Sequence, residues 1–536
     1  MILLLFIKTV LAFSLFCCCF HLWTLASNCW WKSLDSKKPN FIVILADDIG
    51  WGDLGANWPE PATNTPYLDK MASEGLRFVD FHSAASTCSP SRASLLTGRL
   101  GIRNGVTHNF AVTSIGGLPL NETTLADVLK QSGYRTGLIG KWHLGHHDRY
   151  HPNNRGFDYY YGIPYSNDMG CTDQPGRDIP PCLPCPTHLA AQRRSEGASC
   201  YSRLALPLLE NHVIVEQPVT LSSLPARYVR KATDFIKDAN ARGQPFFLYV
   251  ALAHMHVPLS VLAASSSQSV YAENLREMDD MVEQIRAEAY RSEDSNTLIW
   301  FTGDNGPWTE KCQFAGSVGP FTGSWQTSQG GSAAKRTTWE GGHRVPSVVY
   351  WPGTSPRNVT ISSLLSVLDI FPTLLSLARA ALPLDRRFDG RDISEVLFGC
   401  SQLGHRILYH PNSGAAGTFG VIEAVRVGRY KAFYTTGGAL ACNGTVGPER
   451  HHEPPLLFNL DQDPQERQPL DSSGEEYLKV LPEVLEAMVS LDVEVRSDNV
   501  SSADYSQRDW AVLCCNPEHA VCRCDETELS GPFHVH

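Results

Sequence analysis

The sequence has few charged residues and no run of basic ones. Charged side chains make up 19% of the 536 residues and apolar side chains 43%, against about 25% charged residues in an average soluble protein. This composition can bury a core, which excludes a disordered chain. The 45 basic residues are outnumbered by 56 acidic ones, and no five basic residues are consecutive. The net charge of −11 therefore argues against a nucleic-acid partner.

Long apolar runs are missing after the first 27 residues. Residues 1–27 are almost entirely apolar, carry one cation at Lys8 and end in small residues, which is typical of a secretory signal peptide. An uncleaved membrane anchor is the alternative, but Cys17, Cys18, Cys19 and His21 fit an anchor poorly. No later stretch reaches the ~18 apolar residues that a membrane-spanning helix needs. We therefore expect a signal peptide over 1–27 and no stable membrane insertion of the mature chain.

Cysteines are numerous and clustered. Sixteen are present, three of them in the signal, which leaves thirteen. Because thirteen is odd, at least one stays outside an intramolecular disulfide. The Cys182-Leu-Pro-Cys185 spacing also suits zinc, but a secretory route favours disulfides. Two groups therefore predict disulfide knots: Cys171, Cys182, Cys185 and Cys200, and Cys514, Cys515, Cys522 and Cys524.

Four Asn-x-Ser/Thr sequons predict N-glycosylation. Together with the signal peptide and the cysteines, they indicate a glycoprotein of the secretory or endolysosomal system. We expect a lysosomal protein, with secretion or retention in the endoplasmic reticulum as alternatives. The sequons lie at Asn121, Asn358, Asn443 and Asn499.

Strand-like and helix-like segments alternate up to about residue 400, which predicts an α/β domain around a mostly parallel sheet flanked by helices. Beyond that point, short β-like pieces and a helix near 475–490 predict a smaller α+β domain. We therefore expect a large domain over 28–400 and a C-terminal domain over 401–536 with a disulfide-rich tail. The predicted strands are 41–46, 134–139, 246–251 and 297–301, and the predicted helices 124–130, 226–239 and 274–290.

Polar side chains follow four of these strands, at the point where each strand ends. The carboxyl ends of parallel strands meet at one edge of a sheet, where open α/β proteins bind their ligands. Two strands end in oxygen donors and two in basic groups: Asp47-Asp48 and Asp304-Asn305, then Lys141-Trp-His143 and His254-Met-His256.

The oxygen donors suit a hard cation such as Ca²⁺ or Mg²⁺. Asp47-Asp48 alone could be a solvated turn or a helix cap, but the second pair at Asp304-Asn305 favours a metal. Lys141 and His143 are two residues apart, so on an extended segment both would point to the same side. His254 could equally be a buried core histidine.

The segment Cys88-Ser-Pro-Ser-Arg92 is the most specific feature of the sequence. Pro90 and the apolar residues that follow predict a helix that starts near Ser89 or Pro90. A helix N-terminus attracts anions, and Arg92 could return on the face of Cys88. A disulfide-bonded cysteine and a plain cysteine nucleophile are the alternatives.

Cys88-x-Pro-x-Arg92 resembles the signature of the sulfatase family, in which a modifying enzyme, the formylglycine-generating enzyme, oxidises this cysteine to formylglycine in the endoplasmic reticulum. The segment 133–143 resembles the second signature of the family, and the resemblance runs from residue 39 to 373. The C-terminal cysteines resemble the arylsulfatase A-like subgroup. The resemblance implies an alkaline-phosphatase-like fold and Ca²⁺-dependent hydrolysis of sulfate esters.

The resemblance also implies a role for each residue that matches the family motifs. Asp47, Asp48, Asp304 and Asn305 match the calcium ligands, with the modified Cys88 as a further ligand. Arg92 matches the residue that holds the formylglycine, and His143 the one that contacts its hydroxyl. The residues that match contacts to the sulfate ester are Lys141, Lys335 and Ser166, with His256 facing the leaving oxygen.

Two rival functions and two departures accompany this reading. A phosphate or phosphonate ester hydrolase would need more metal ligands where Lys141 and Lys335 stand. A silent sulfate-binding relative would be expected to have lost Cys88, Pro90 or Arg92, and all three are present. Asn167 stands where members of the subgroup often have histidine, and Arg336 adds a cation. The implied substrates are a sulfated glycosaminoglycan (the 3-O-sulfate of heparan-sulfate glucosamine) and small or artificial aryl sulfate esters.

Overall fold

A computed structural model describes most of the chain. The predicted signal peptide lies outside the described residues, and so do Cys182, Cys185 and Cys200. The described residues are 37–60, 64–173, 204–260, 269–292, 295–516 and 522–524.

The described residues form a ten-stranded sheet whose central strands run parallel. Antiparallel pairs occur only towards its edges among these strands, so the predicted mostly parallel sheet is confirmed. In spatial order the strands are β11 (Val359–Ile361), β2 (Leu76–Phe78), β10 (Ser347–Tyr350), β9 (Thr297–Gly303), β1 (Asn40–Ala46), β8 (Phe246–Ala251), β4 (Arg135–Gly140), β5 (Tyr159–Gly162), β6 (Leu208–Glu210) and β7 (Val213–Glu216). A separate pair joins β3 (Phe81–His82) to β12 (Leu365–Ser366).

Helices cover both faces of this sheet. Along β1, Phe41 and Val43 belong to one apolar core and Ile42 and Ile44 to the other, which explains why the strand is apolar without alternation. The helices in the large part of the chain are α1 (Pro66–Glu74), α2 (Cys88–Thr97), α3 (Gly101–Asn104), α4 (Leu125–Gln131), α5 (Leu224–Ala241), α6 (Val270–Ala289), α7 (Ser324–Thr327), α8 (Glu340–His343), α9 (Ile370–Ala378) and α10 (Ser394–Leu397).

The predicted elements agree with the structure to within a few residues at their ends. The strand predicted over 246–251 has those bounds. The helix predicted to start at Asn274 begins at Val270 instead, because the Ser269 hydroxyl accepts a hydrogen bond from the Ala272 N–H and caps the first turn. The helix predicted near Ser89 begins one residue earlier, at Cys88.

The C-terminal part is a separate antiparallel sheet packed against one long helix. Its strands are β13 (Ile407–Pro411), β14 (Ile422–Val427), β15 (Tyr430–Thr436) and β16 (Arg450–Asn459), and the helix is α11 (Glu475–Arg496). No helix within the described ranges combines the length and the apolar content needed to cross a membrane.

Disulfides cross-link the C-terminal tail internally, and another one joins the C-terminal part to the preceding part of the chain. The second predicted knot is confirmed, with Cys514 bonded to Cys522 and Cys515 to Cys524. A further disulfide that the sequence did not predict joins Cys312 to Cys442, 130 residues apart. Cys171 and Cys400 are also disulfide-bonded.

His146 gives the fold a dependence on pH. Its imidazole is buried, its Nε2 lies 2.9 Å from the Ala511 carbonyl oxygen, and burial lowers its pKa from 6.5 to about 4. The unfolded chain therefore binds this proton more readily, and stability falls as the pH drops from 6.5 to 4. We expect His146→Gln, which keeps a donor for Ala511, to remove about 3 kcal/mol of this loss.

The free energy of unfolding by urea, measured at pH 7 and pH 4.5, checks this expectation. The matched control is His147→Gln, the neighbouring imidazole. An unchanged pH slope in the His146→Gln protein would show that His146 does not carry the effect.

Candidate active site

The carboxyl ends of β1 and β9 bring four oxygen-bearing side chains together. The two strands pair in parallel with Ala46 opposite Gly303, so the residues that follow them are neighbours. The Asp48 N–H donates to Asp304 Oδ1 at 3.1 Å, and Asn305 Nδ2 donates to Asp48 Oδ1 at 2.7 Å. The fourth side chain is that of Asp47, and all four are buried.

Cys88 faces this cluster from the first turn of α2. Its sulfur lies 3.4 Å from Asp47 Oδ1, and it is a free thiol, which leaves the disulfide alternative without support. Burial raises the pKa of the Cys88 thiol. The unmodified thiol is therefore neutral and a poor nucleophile.

Arg92 returns to the same face one turn later. Its Nε and Nη2 donate to Asp304 Oδ2 at 2.9 and 2.7 Å, and its Nη1 donates to the Lys141 carbonyl oxygen. The guanidinium is buried and links α2 to the ends of β9 and β4. A buried ion pair with Asp304 thus fixes the Arg92 side chain, one turn of α2 after Cys88.

Two lysines approach the carboxylates from opposite sides. Lys141 Nζ donates to Asp47 Oδ2 at 2.6 Å and to the Ser166 hydroxyl at 3.1 Å, while Lys335 Nζ lies 2.7 Å from Asp48. Burial would raise the pKa of Asp47, but Lys141, His256 and Arg92 hold it well below its usual range. Burial would lower the pKa values of Lys141 and Lys335, but Asp47 and Asp48 raise them, so both lysines are charged.

The histidines differ in their hydrogen bonds. His143 Nε2 lies 3.1 Å from the Phe110 carbonyl oxygen, while its buried Nδ1 has no hydrogen-bond partner. Burial, with Lys141 and Arg92, holds the pKa of His143 well below its ordinary value, so the neutral ring donates from Nε2 and offers Nδ1 as an acceptor. The expected extended segment is wrong at His143, where φ is 58°.

His256 is oriented by its own chain. Its Nδ1 lies 2.6 Å from the Val257 carbonyl oxygen, so Nδ1 is the donor there and Nε2 faces the pocket. Nε2 is 3.5 Å from the Ser166 hydroxyl and 3.6 Å from Asp48 Oδ2. By contrast, His254 bonds Glu277 at 3.0 Å.

Some of these groups line a pocket of about 240 Å³. His143, Ser166, His256 and Lys335 were predicted to lie there. Sequence reasoning gave no role to the remaining polar and aromatic lining residues, and only the segment 164–168, already singled out for Ser166, pointed towards one of them. These residues are Thr87, Asn109, Phe110, Asp168 and Trp308, with Arg336 noted only as a nearby cation.

The donor set fits a hard divalent cation. Ligand atoms of Asp47, Asp48, Cys88 and His256 lie within 4.8 Å of one another. Asn305 Oδ1 is a buried acceptor with no hydrogen-bond partner, which is costly unless another ligand satisfies it. Asp304 lies at the same place, but both of its oxygens already accept hydrogen bonds.

Comparison with known proteins assigns this arrangement to a family. The family profile described as "Sulfatase" matches residues 39–380, and the profile "C-terminal region of aryl-sulfatase" matches 403–524. The chain belongs to the sulfatase family. As a sulfatase it hydrolyses sulfate esters.

Within this family the whole chain resembles arylsulfatase G. It is 63% identical to arylsulfatase G of Canis lupus familiaris over 92% of both chains, and 62% identical to that of Homo sapiens over 97% of this chain and 99% of the relative. Arylsulfatase A of Homo sapiens is 36% identical over 92% and 96%. The solved PsFucS1 sulfatase from Pseudoalteromonas sp. has a TM-score of 0.74 and 25% identity, over 90% of this chain and 96% of that one.

Proposed function

We propose that this sulfatase hydrolyses the sulfate ester with Ca²⁺ and with a formylglycine formed from Cys88. The supporting observation is the convergence of Cys88, two lysines and an oxygen-rich cluster on one buried site, next to a pocket that Lys335 lines. Asp47, Asp48, Asp304 and Asn305 would hold the cation, with the modified Cys88. The hydrated formylglycine would supply the attacking hydroxyl, and the cation would supply positive charge near the sulfate oxygens.

The residues of the chain bind and orient the sulfate group. Lys141 and Lys335 carry buried positive charge, and the Ser166 hydroxyl lies between Lys141 and His256. Buried, preoriented donors of this kind stabilise charge that develops on non-bridging oxygens. Arg92 keeps the side chain at position 88 in place through its ion pair with Asp304.

The two histidines would move protons in opposite directions. In its cationic form His256 carries a proton on Nε2, directed into the pocket where the leaving alcohol oxygen would lie. Neutral His143 offers Nδ1 as an acceptor for a proton. Since burial keeps the pKa of His143 low, this acceptor persists at acid pH.

A phosphate or phosphonate ester hydrolase remains the rival function. Enzymes with two metals need additional carboxylate or imidazole ligands. Here Lys141 and Lys335 make the corresponding contacts to Asp47 and Asp48. This arrangement favours one cation and a sulfate ester.

The substrate and the cellular setting belong to the same proposal. We infer a sulfated glycosaminoglycan as the natural substrate, namely the 3-O-sulfate of heparan-sulfate glucosamine, with artificial aryl sulfates also cleaved. The formylglycine-generating enzyme would act on Cys88 during synthesis, followed by delivery to the lysosome. The domain limits 28–400 and 401–536 stay proposals.

Glycosylation at the four sequons is part of this setting. All four asparagines are exposed, as N-linked glycans require: Asn121, Asn358, Asn443 and Asn499.

Removal of the cation tests the proposed function. We expect a chelator to abolish hydrolysis of an aryl sulfate and Ca²⁺ to restore it. Ca²⁺ should also raise the melting temperature, since a ligand at 100 times its Kd stabilises the folded state by about 2.7 kcal/mol.

Asp48→Asn separates this site from weak binding elsewhere. We expect this variant to lose both the Ca²⁺-dependent activity and the thermal shift, while Asp461→Asn, at an exposed position, keeps both. A full thermal shift in the Asp48→Asn protein would place the cation at another site.

A further inference from the structure

Trp308 forms a wall that runs from the catalytic pocket to its mouth. On the inner side, its ring centroid lies 5.4 Å from the His256 ring and 4.5 Å from Lys335 Nζ. Lys311 Nζ lies 4.4 Å from the centroid, and the Arg336 guanidinium carbon 6.0 Å from it. Cations within about 6 Å of an indole face are attracted to it. Trp308 therefore stabilises these cations by cation–π interactions at the mouth of the pocket.

The backbone of Arg336 is strained and firmly held. Its φ of 78° lies in the left-handed region, where glycine is strongly favoured. The Arg336 N–H donates to the Ser86 carbonyl oxygen, and its own carbonyl accepts from the Ala415 N–H. A Cβ on Gly414 would lie 2.4 Å from the Arg336 Cβ. Arg336 thus adopts a backbone conformation that glycine would adopt at a lower cost in free energy. Such strain is typical of functional positions.

The Arg336 guanidinium forms only a long ion pair with Glu310. Its Nη1 lies 3.9 Å from Glu310 Oε2, and 47% of the side chain is exposed. That carboxylate already accepts a hydrogen bond from Trp308 Nε1 at 3.0 Å. Asp168, an acid that lines the pocket, has a hydrogen bond from Ser166, while its buried Oδ1 has no partner. Arg336 therefore keeps donors available to a ligand.

We propose that Arg336, supported by Trp308, binds a carboxylate on the sugar unit next to the scissile sulfate ester. The inference rests on the proposed function and deepens it, because it assigns a uronic acid to the position beside the sulfated sugar. The inner sulfate-binding cations are lysines, which act as point charges, and so does Lys311 beside Trp308, whereas Arg336 carries a planar guanidinium. That fork matches a planar carboxylate in a bidentate pair.

The net charge of the protein does not favour binding of an anion at this subsite. With a net charge of −11, the chain does not attract a polyanion from a distance, so local cations have to provide the attraction. The mouth is partly exposed, and its charge is screened by salt.

Binding to the Cys88→Ala protein tests the subsite without any chemistry. The probes are two disaccharides that carry the same sulfate ester and a flanking uronic acid, one as the free carboxylate and one as its methyl ester. We expect calorimetry to show about tenfold tighter binding of the free acid, since a hydrogen bond between charged groups contributes enough for that ratio.

Variants at position 336 then separate charge from structure. We expect Arg336→Gln to remove the preference for the free acid and Arg336→Lys to retain part of it. Arg357→Gln, at an exposed arginine that lies 4.0 Å from Glu74 at the end of α1, should keep it in full. A preference that survives Arg336→Gln, or that is absent with Arg336 in place, overturns the subsite.

Activity of the unsubstituted protein distinguishes the two proposals. If the protein cleaves no sulfate ester but its Cys88→Ala form still prefers the free acid, the proposed function fails and the subsite stands. If it cleaves sulfate esters and no preference exists, only the subsite fails.

Discussion

We expect Cys88→Ala to lower kcat/KM for an aryl sulfate by about 10⁴-fold or more, down to background. Loss of a covalent nucleophile has effects of this order in other hydrolases. The fold should survive, because removal of one buried sulfur costs at most a few kcal/mol. Kinetics on protein secreted from cells that carry the modifying enzyme measures the effect, with circular dichroism as the check on folding.

Cys88→Ser distinguishes the formylglycine from a simple hydroxyl nucleophile. Serine supplies a hydroxyl in the same place but no thiol for the modifying enzyme, so we expect this variant to be as inactive as Cys88→Ala. Ser94→Ala, on the same helix, is the matched control, since its buried hydroxyl has no hydrogen-bond partner. Peptide mass spectrometry that finds an unmodified cysteine at position 88 in fully active protein would contradict the mechanism.

The second large effect concerns stability. Arg92→Leu should lower the free energy of unfolding of the metal-free protein by about 3–5 kcal/mol, because it leaves Asp304 buried without its cation. Arg92 donates two hydrogen bonds to Asp304 Oδ2 and also lies 3.6 Å from Asp47 Oδ1. The urea concentration at half-unfolding, in the presence of a chelator, reports this change.

Two companion variants identify the cause of this loss. Arg92→Lys keeps the charge without the planar fork and should lose less stability. Arg92→Leu combined with Asp304→Asn removes the unpaired carboxylate and should recover part of it. Equal stability of Arg92→Leu and the unsubstituted protein would mean that Asp304 is neutralised by another group.

The local signals in the sequence were sufficient to place the parts of the site on the fold. The apolar run over 41–46 and the acids that follow it predicted both a central strand and a donor cluster, because a strand buried on both faces leaves its polar groups at its end. Pro90 and its neighbours predicted a helix close to where α2 starts. These features depend on residues near one another in the chain.

The sequence predicted the start of one helix and some of the disulfides less well. The helix predicted from Asn274 extends back to Val270 because the Ser269 cap was overlooked. Cys312 and Cys442 form a disulfide that no spacing rule identifies, since connectivity depends on distance in the folded chain.

The sequence by itself determined the α/β class and the strand ends that carry oxygen and basic donors, and it pointed to Cys88 as the proposed reactive position. Tertiary structure alone decided which partners these groups meet. Arg92 bonds Asp304 across 212 residues and Lys335 bonds Asp48 across 287, and Trp308 lies near Arg336, which another segment supplies. Such pairings follow from side-chain directions and packing, which fix atoms to within a hydrogen-bond length, whereas periodicity and spacing fix only the face and the end of each element.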